Sequence, residues 1–172
     1  MGKDLARRIK NNSKELFRLY EEGKRLGLSN NVLSFLLLSA IEEMAKYYVE
    51  VLLIKCNDPT LRRSIRSRLY NEHAVKYAVF LAIYYVIQGL RDAEEIRREV
   101  SGLVAKWVDI RDSYLINVSH VEPSTEDLVE IEKYFSSYED MEREILGLSR
   151  EESCDLLSLL TGVVFRRKLP RR

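Results

Sequence analysis

The chain has few residues that interrupt helices and no excess of charge of either sign. Its 172 residues include only 7 glycines and 3 prolines, so we expect long helices rather than many short strands. The formal net charge is +1, so overall charge does not predict a polyanionic partner. Hydrophobic residues make up 46% and charged residues 32%, which is usual for a globular protein with a single core.

Cysteines and long uncharged apolar runs are also scarce. The chain has 2 cysteines, Cys56 and Cys154, and without a CxxC or a Cys/His cluster they predict no zinc site. We interpret them as small apolar packing residues in a reducing cytoplasm, with a disulfide as the alternative. No apolar run reaches the roughly 18–20 uncharged residues of a membrane span. The sequence therefore predicts a soluble, cytoplasmic protein that has no membrane contact and needs neither metal nor cofactor.

The spacing of apolar residues predicts an all-α, single-domain bundle of five or six helices. We expect the helices over about residues 3–26, 30–55, 59–90 with a break near 70–72, 92–107, 125–146 and 150–160. The aliphatic and aromatic residues within 111–121 favour an extended segment instead. Residues 1–165 should form the helical domain, and the basic residues 166–172 should form a disordered tail.

Charged residues interrupt the most apolar part of the predicted second helix. Within residues 32–54 the chain carries Glu42, Glu43, Lys46 and Glu50. Glu43 and Lys46 are three residues apart and share one helix face, whereas we expect Glu42 and Glu50 at the surface. Because an unpaired buried charge is costly, Glu43 and Lys46 either line a site or form an ordinary surface ion pair.

A second pair, His73 and Lys76, lies at the start of the other strongly apolar segment, residues 74–87. Imidazole titrates near neutral pH and can therefore move a proton during catalysis. The alternative is a histidine that only satisfies a structural hydrogen bond. If the two pairs converge between their helices they form a polar pocket, which is the most informative candidate site in the chain.

Two further patterns suggest chemistry on phosphates. Arg68 and His73 form an Arg-x4-His pattern, which is a hallmark of the HEPN superfamily of helical nucleases. These enzymes cleave RNA without metal, with His moving a proton and Arg holding the phosphate. On a straight helix, however, residues five apart point about 140° away from each other. Arg111 offers a fork for phosphate and Tyr114 a hydrogen bond, or the two mark an ordinary helix end with Tyr114 in the core.

The order of these motifs over residues 30–125 resembles the AbiV-type abortive-infection proteins, which are placed among HEPN-like helical domains. The residues that match are, in chain order, Glu42, Glu43, Lys46, His73, Lys76, Arg111 and Tyr114. The chain departs from the family pattern after Tyr114, where Ile116 or Asn117 stands in place of an expected Asp.

The resemblance implies an anti-phage defence protein that acts on RNA or on translation, and we expect action on RNA as a metal-independent endoribonuclease. It also implies a homodimer with the site near the subunit interface, and a phage or antitoxin protein as a further partner. We expect the catalytic residues to be His73, Arg111, Glu43 and Lys46, and the substrate-binding residues to be Lys76, Arg68, Tyr114 and Asn117. The alternative is a non-catalytic helical module for protein interaction or for nucleotide or RNA binding, whose charge pairs only fix helix packing.

Overall fold

The computed structural model describes residues 2–116 and 122–165, and these residues form eight α-helices. The helices are α1 (Gly2–Leu26), α2 (Asn30–Cys56), α3 (Pro59–Asn71), α4 (His73–Ile87), α5 (Ala93–Ile116), α6 (Thr125–Phe135), α7 (Tyr138–Leu146) and α8 (Arg150–Phe165). The described ranges contain no strand, so the all-α prediction is confirmed. The basic tail 166–172 lies outside the described residues.

The number of helices exceeds the five or six predicted because two long segments are each divided by a short break. Between α3 and α4, Glu72 has extended backbone angles of φ −128° and ψ 120°, within the break predicted near residues 70–72. Ser136 and Ser137 separate α6 from α7, where one continuous helix was expected. Neither break contains a glycine.

The extended segment predicted for residues 111–121 is wrong over its first half, because residues 111–116 continue α5. The cause is visible in the burial of the preceding turns. Ile96, Val100, Trp107 and Ile110 are all buried and recur at helical spacing. This packing overrides the strand preference of the residues that follow. Residues 117–121 lie outside the described part of the chain.

Helix α2 lies at the centre of the bundle. It contacts all seven of the other described helices, α1 most extensively and α3 least. Ser29 caps its start by accepting a hydrogen bond from the Val32 N–H. Asn57 ends it with a positive φ of 56°. Because apolar side chains surround α2 on nearly all sides, any charged group on it lies close to the core.

The end of α2 is joined covalently to α8 by a disulfide between Cys56 and Cys154, whose Cα atoms are 5.0 Å apart. The interpretation of these cysteines as packing residues is therefore wrong. Beside the bond, the Lys55 ammonium donates to the carbonyl oxygens of Ile145 and Leu148, at 3.1 and 2.7 Å.

Among the helices described, none is both long enough and apolar enough to cross a membrane.

Candidate functional site

The Glu42 carboxylate is the meeting point of three helices, although the side chain was expected at the surface. The residue is only 6% exposed. Its Oε2 accepts hydrogen bonds from Tyr77 Oη of α4 at 2.5 Å and from Arg111 Nε of α5 at 2.9 Å. Its Oε1 lies 2.9 Å from His73 Nδ1 of α4. We call Glu42, His73, Lys76, Tyr77 and Arg111 the Glu42 cluster.

Helical spacing and aromatic packing bring the cluster together. His73, Lys76 and Tyr77 are at positions i, i+3 and i+4 of α4 and therefore share a face. Arg111 follows Trp107 by one turn of α5. The Trp107 ring packs edge-on against the Tyr77 ring, with centroids 5.8 Å apart. This contact fixes α5 against α4 so that Arg111 reaches the carboxylate.

His73 gives the cluster its contact with solvent and presents a free ring nitrogen. Its side chain is 42% exposed, whereas the side chain of Glu42 is 8% exposed. An ionised carboxylate only accepts hydrogen bonds, so we assign the Nδ1 hydrogen to the contact with Glu42. The lone pair then lies on Nε2. A histidine held in this way can accept a proton from a group that approaches from solvent.

Two cations surround the single carboxylate. Arg111 packs its guanidinium over the Phe35 ring at 5.1 Å, and its buried Nη1 has no hydrogen-bond partner among the described residues. Lys76 Nζ lies 3.9 Å from Glu42 Oε1. Burial lowers the pKa of Lys76, an effect that the neighbouring Glu42 opposes. Burial and the same carboxylate raise the pKa of Tyr77, which keeps its hydroxyl protonated as a donor.

The other charged residues in the middle of α2, Glu43, Lys46 and Glu50, lie between the Glu42 cluster and α3. Lys46 pairs with Glu43 at 2.6 Å and lies over the Tyr70 ring at 5.2 Å. Glu50, another residue expected at the surface, is only 1% exposed. It accepts hydrogen bonds from Arg66 Nε and Tyr70 Oη, both at 2.8 Å. The four charges that interrupt α2 thus form one polar seam, which runs from Arg66 to the Glu42 cluster.

The structure brings together some of the predicted site residues and separates others. His73, Lys76 and Arg111 converge on Glu42, whereas the expected pocket paired His73 and Lys76 with Glu43 and Lys46. Glu43 and Lys46 lie in the neighbouring part of the polar seam and pair with each other. The Tyr114 side chain and all of Asn117 lie outside the described residues.

Arg68 does not join His73 in the Glu42 cluster. Its guanidinium forms an ion pair with Glu72 at 2.8 Å, one turn later on the helix. Both residues line a shallow groove of about 460 Å³ between α4 and α5, together with Ala74 and Val75. The break at Glu72 and the five-residue spacing direct Arg68 and His73 to different surfaces. The Arg-x4-His pattern therefore does not correspond to a paired site here.

Sequence reasoning missed Glu42 and Tyr77 as members of the site. A signal for Tyr77 was present, because it lies four residues after His73 on the same helix face. For Glu42 the signal was its spacing of i, i+4 and i+8 with Lys46 and Glu50, which places all three residues on one side of α2. The facing helix had to be known before that side could be recognised as buried.

Neither metal ligands nor known relatives add to the description of this site. Within residues 2–116 and 122–165, no group of three or more His, Cys, Asp or Glu side chains is arranged to hold a metal ion. Comparison with protein-family models finds no match, and comparisons with curated proteins and with solved structures find none either. The geometry of the Glu42 cluster is therefore the basis on which a function can be proposed.

Proposed function

We propose that the protein is an endoribonuclease that cleaves RNA without metal and that the Glu42 cluster is its active site. The observation that carries this proposal is the hydrogen bond between His73 Nδ1 and the buried Glu42 carboxylate. This bond leaves Nε2 as a proton acceptor at the exposed side of a cluster that also contains Arg111 and Lys76. A base beside two cations suits a substrate that carries both a hydroxyl and a phosphate.

In the proposed reaction, His73 Nε2 takes the proton of a ribose 2′-hydroxyl. The 2′ oxygen attacks the adjacent phosphorus, and the bond between phosphorus and the 5′ oxygen of the next nucleotide breaks. The products are a 2′,3′-cyclic phosphate and a 5′-hydroxyl, so no water or other reactant is consumed. Arg111 offers its Nη1 donor, which has no partner among the described residues, to the charge that develops on the phosphate. Glu42 orients His73 and stabilises the imidazolium that forms.

The biological setting of the proposal comes from the resemblance to AbiV-type proteins. We propose on that basis a HEPN-like domain that acts in defence against phage. The same resemblance suggests a homodimer and a phage or antitoxin protein as a partner. The support from this chain is that three resembling residues, His73, Lys76 and Arg111, all contact one carboxylate.

One observation favours the alternative, a non-catalytic helical module. The Glu42 carboxylate is saturated by donors from α4 and α5, as expected of a buried ion that only fixes how helices pack. Arg68, which the nuclease pattern assigns to phosphate, pairs with Glu72 instead. In this case His73 has no chemical task and its loss affects stability alone.

The test is cleavage of labelled total RNA in the presence of a chelator by the wild-type protein and by His73→Ala. The proposal predicts that only the wild type cleaves, giving fragments that end in 2′,3′-cyclic phosphate. The matched control is Arg18→Ala, which breaks an exposed ion pair with Glu15 on α1 and removes one positive charge outside the cluster.

The control separates loss of catalysis from a general loss of affinity for RNA. Arg18→Ala should cleave at the wild-type rate, and thermal melting should show that His73→Ala is folded. Equal cleavage by folded His73→Ala and wild type would contradict the proposal. Absence of cleavage by either protein, across RNA from several sources, would favour the non-catalytic module.

A further inference from the structure

Lys76 and His73 approach the same oxygen of Glu42. His73 Nδ1 lies 2.9 Å and Lys76 Nζ 3.9 Å from Oε1, whereas Arg111 and Tyr77 bind Oε2. The two α4 side chains therefore lie on the same side of the carboxylate, one helical turn apart. Two proton-carrying groups placed in this way can act on one phosphodiester, one at the attacking 2′ oxygen and the other at the departing 5′ oxygen.

Among the residues that the structure describes, the Lys76 ammonium has only long polar contacts. Besides Glu42 Oε1, it is 3.5 Å from the backbone oxygen of Tyr70. Its side chain is only 8% exposed, so water compensates little for the missing short bonds. An ammonium group has three N–H donors, so at least one of them remains available to a ligand atom that enters the cluster.

The charges around Lys76 set how firmly it holds its proton. The groups that face it are Glu42, Glu43 and Lys46 on α2, Tyr70 on α3, His73 and Tyr77 on α4, and Arg111 on α5. Burial lowers the pKa of Lys76 most, Lys46 and Arg111 lower it further, and Glu42 and Glu43 raise it. Lys76 is therefore a stronger acid than a lysine in water.

We infer that Lys76 is the general acid of the proposed RNA cleavage and donates a proton from Nζ to the departing 5′ oxygen. This inference rests on the function proposed above. As the bond between phosphorus and the 5′ oxygen breaks, the oxygen takes the proton of the Lys76 ammonium and leaves as a hydroxyl. His73 has meanwhile taken the 2′-hydroxyl proton. One group therefore gains a proton from the RNA while the other gives one to it, and the charges balance.

The test compares two synthetic RNAs that differ in one atom. Both carry a site that the wild type cleaves in total RNA, and in one of them sulfur replaces the bridging 5′ oxygen at that site. Sulfur leaves as a thiolate and needs no proton. We expect Lys76→Met to cleave the oxygen RNA about 100-fold or more slowly than wild type, as for loss of a general acid. It should cleave the sulfur RNA at close to the wild-type rate.

Two further variants distinguish an acid from a binding or structural role. His73→Ala should be slow on both RNAs, because a base is still needed for the sulfur substrate. Lys76→Arg keeps the charge that faces Glu42 but is a much weaker acid, so it should also be slow on oxygen and fast on sulfur. Fast cleavage of the sulfur RNA by either Lys76 variant also shows that the variant is folded.

Several outcomes would overturn the inference. If Lys76→Met and folded Lys76→Arg are equally slow on both RNAs, Lys76 binds or positions the substrate rather than protonating it. If either variant cleaves the oxygen RNA as fast as wild type, Lys76 has no catalytic task. If the wild type cleaves no site in total RNA, from which the two RNAs are designed, the proposed function itself has failed, which is a different result from failure of the Lys76 variants alone.

Discussion

Glu42 is a buried charge whose desolvation is offset by donors from two other helices. Tyr77 Oη, Arg111 Nε and His73 Nδ1 all direct hydrogens to it, and Lys76 adds a longer ionic contact. A buried ion pair adds little net stability when it forms, but loss of one partner leaves the others uncompensated. The cluster should therefore be far more sensitive to removal of Glu42 than an exposed ion pair would be.

Glu42→Ala should lower the free energy of unfolding by about 3–5 kcal/mol, because Arg111 and Lys76 stay buried without their counter-ion. The matched control is Glu43→Ala, one residue along the same helix, which breaks the part-exposed pair with Lys46. That change should cost only about 1 kcal/mol or less. Urea denaturation measures both values, and similar losses for the two variants would contradict the central role of Glu42.

Lys76 should make the free energy of unfolding rise with pH between the pKa of Lys76 in the folded protein and its pKa in the unfolded chain. Its folded-state pKa is lowered, so its charged form is disfavoured in the fold. That penalty is full below the folded pKa and disappears as pH rises from the folded value towards the unfolded value of about 10.4. Lys76→Met lacks this effect, so the stability of wild type relative to Lys76→Met should increase over the alkaline range, as pH rises towards about 10.4. Denaturation curves recorded across that range measure the difference, and a constant difference would contradict the prediction.

At the residue scale, the sequence indicated that the charged residues of α2 and α4 interact. It did not indicate whether Glu42 or Glu43 is the carboxylate that receives His73. Glu42 and Glu43 are adjacent and differ by about 100° around α2. Because α2 is apolar on nearly all sides, its periodicity does not distinguish a face that meets solvent from one that meets α4. Only the position of α4 and α5 decides that Glu42 receives His73 and Arg111, while Glu43 pairs with Lys46.

Among the elements, the end of α7 is held by the Lys55 side chain of α2. The Lys55 ammonium contacts three carbonyl oxygens at the end of α7, those of Ile145, Leu146 and Leu148. Carbonyl groups at a helix end have no partners within the helix and carry partial negative charge. Lys55 therefore satisfies them and fixes the direction in which the chain enters α8.

Lys55→Ala should lower the free energy of unfolding by about 1–3 kcal/mol, since charged hydrogen bonds to these carbonyls are lost. Lys24→Ala is a suitable control, because Lys24 pairs with Glu132 at the protein surface. We expect the control to lose about 1 kcal/mol or less. Thermal or urea denaturation gives both values, and a negligible effect of Lys55→Ala would show that water replaces the ammonium without cost.

Local signals predicted helix starts and stops better than they predicted helix continuity. The end of α1 at Leu26 and both ends of α2 agree with the sequence, because Gly27, Ser29 and Asn57 act within one turn. The break at Ser136 and Ser137 has no proline or glycine to mark it. The continuation of α5 past residue 111 depends on how Trp107 packs against Tyr77, which no local pattern contains.

For the whole molecule, the Cys56–Cys154 disulfide closes a loop across 98 positions of sequence. Cross-linking residues that far apart should stabilise the fold by about 4–5 kcal/mol in the chain-entropy description. Reduction with dithiothreitol should therefore shift urea denaturation to lower concentration. The double variant Cys56→Ala and Cys154→Ala should be indifferent to the reductant, and equal stability of the oxidised and reduced wild type would contradict the prediction.

The disulfide was not predictable from composition, because its partners meet only after α8 folds back on α2. The same is true of the Glu42 cluster, whose members come from residue 42, residues 73–77 and residue 111. The all-α class and the helix face that His73 and Lys76 share could be predicted, since helical spacing acts on short segments. The identity of the shared carboxylate required the assembled bundle.

The most direct test of the central claim is the tautomer of His73, measured by ¹⁵N NMR on histidine-labelled protein at mildly alkaline pH. The chain has 2 histidines, so His73→Ala assigns the signals. If Glu42 holds the ring as described, the wild type shows the hydrogen on Nδ1 and the lone pair on Nε2, and Glu42→Gln loses this preference. A wild-type ring with its hydrogen on Nε2 would contradict the account, because the nitrogen assigned to take the substrate proton would then have no lone pair to offer.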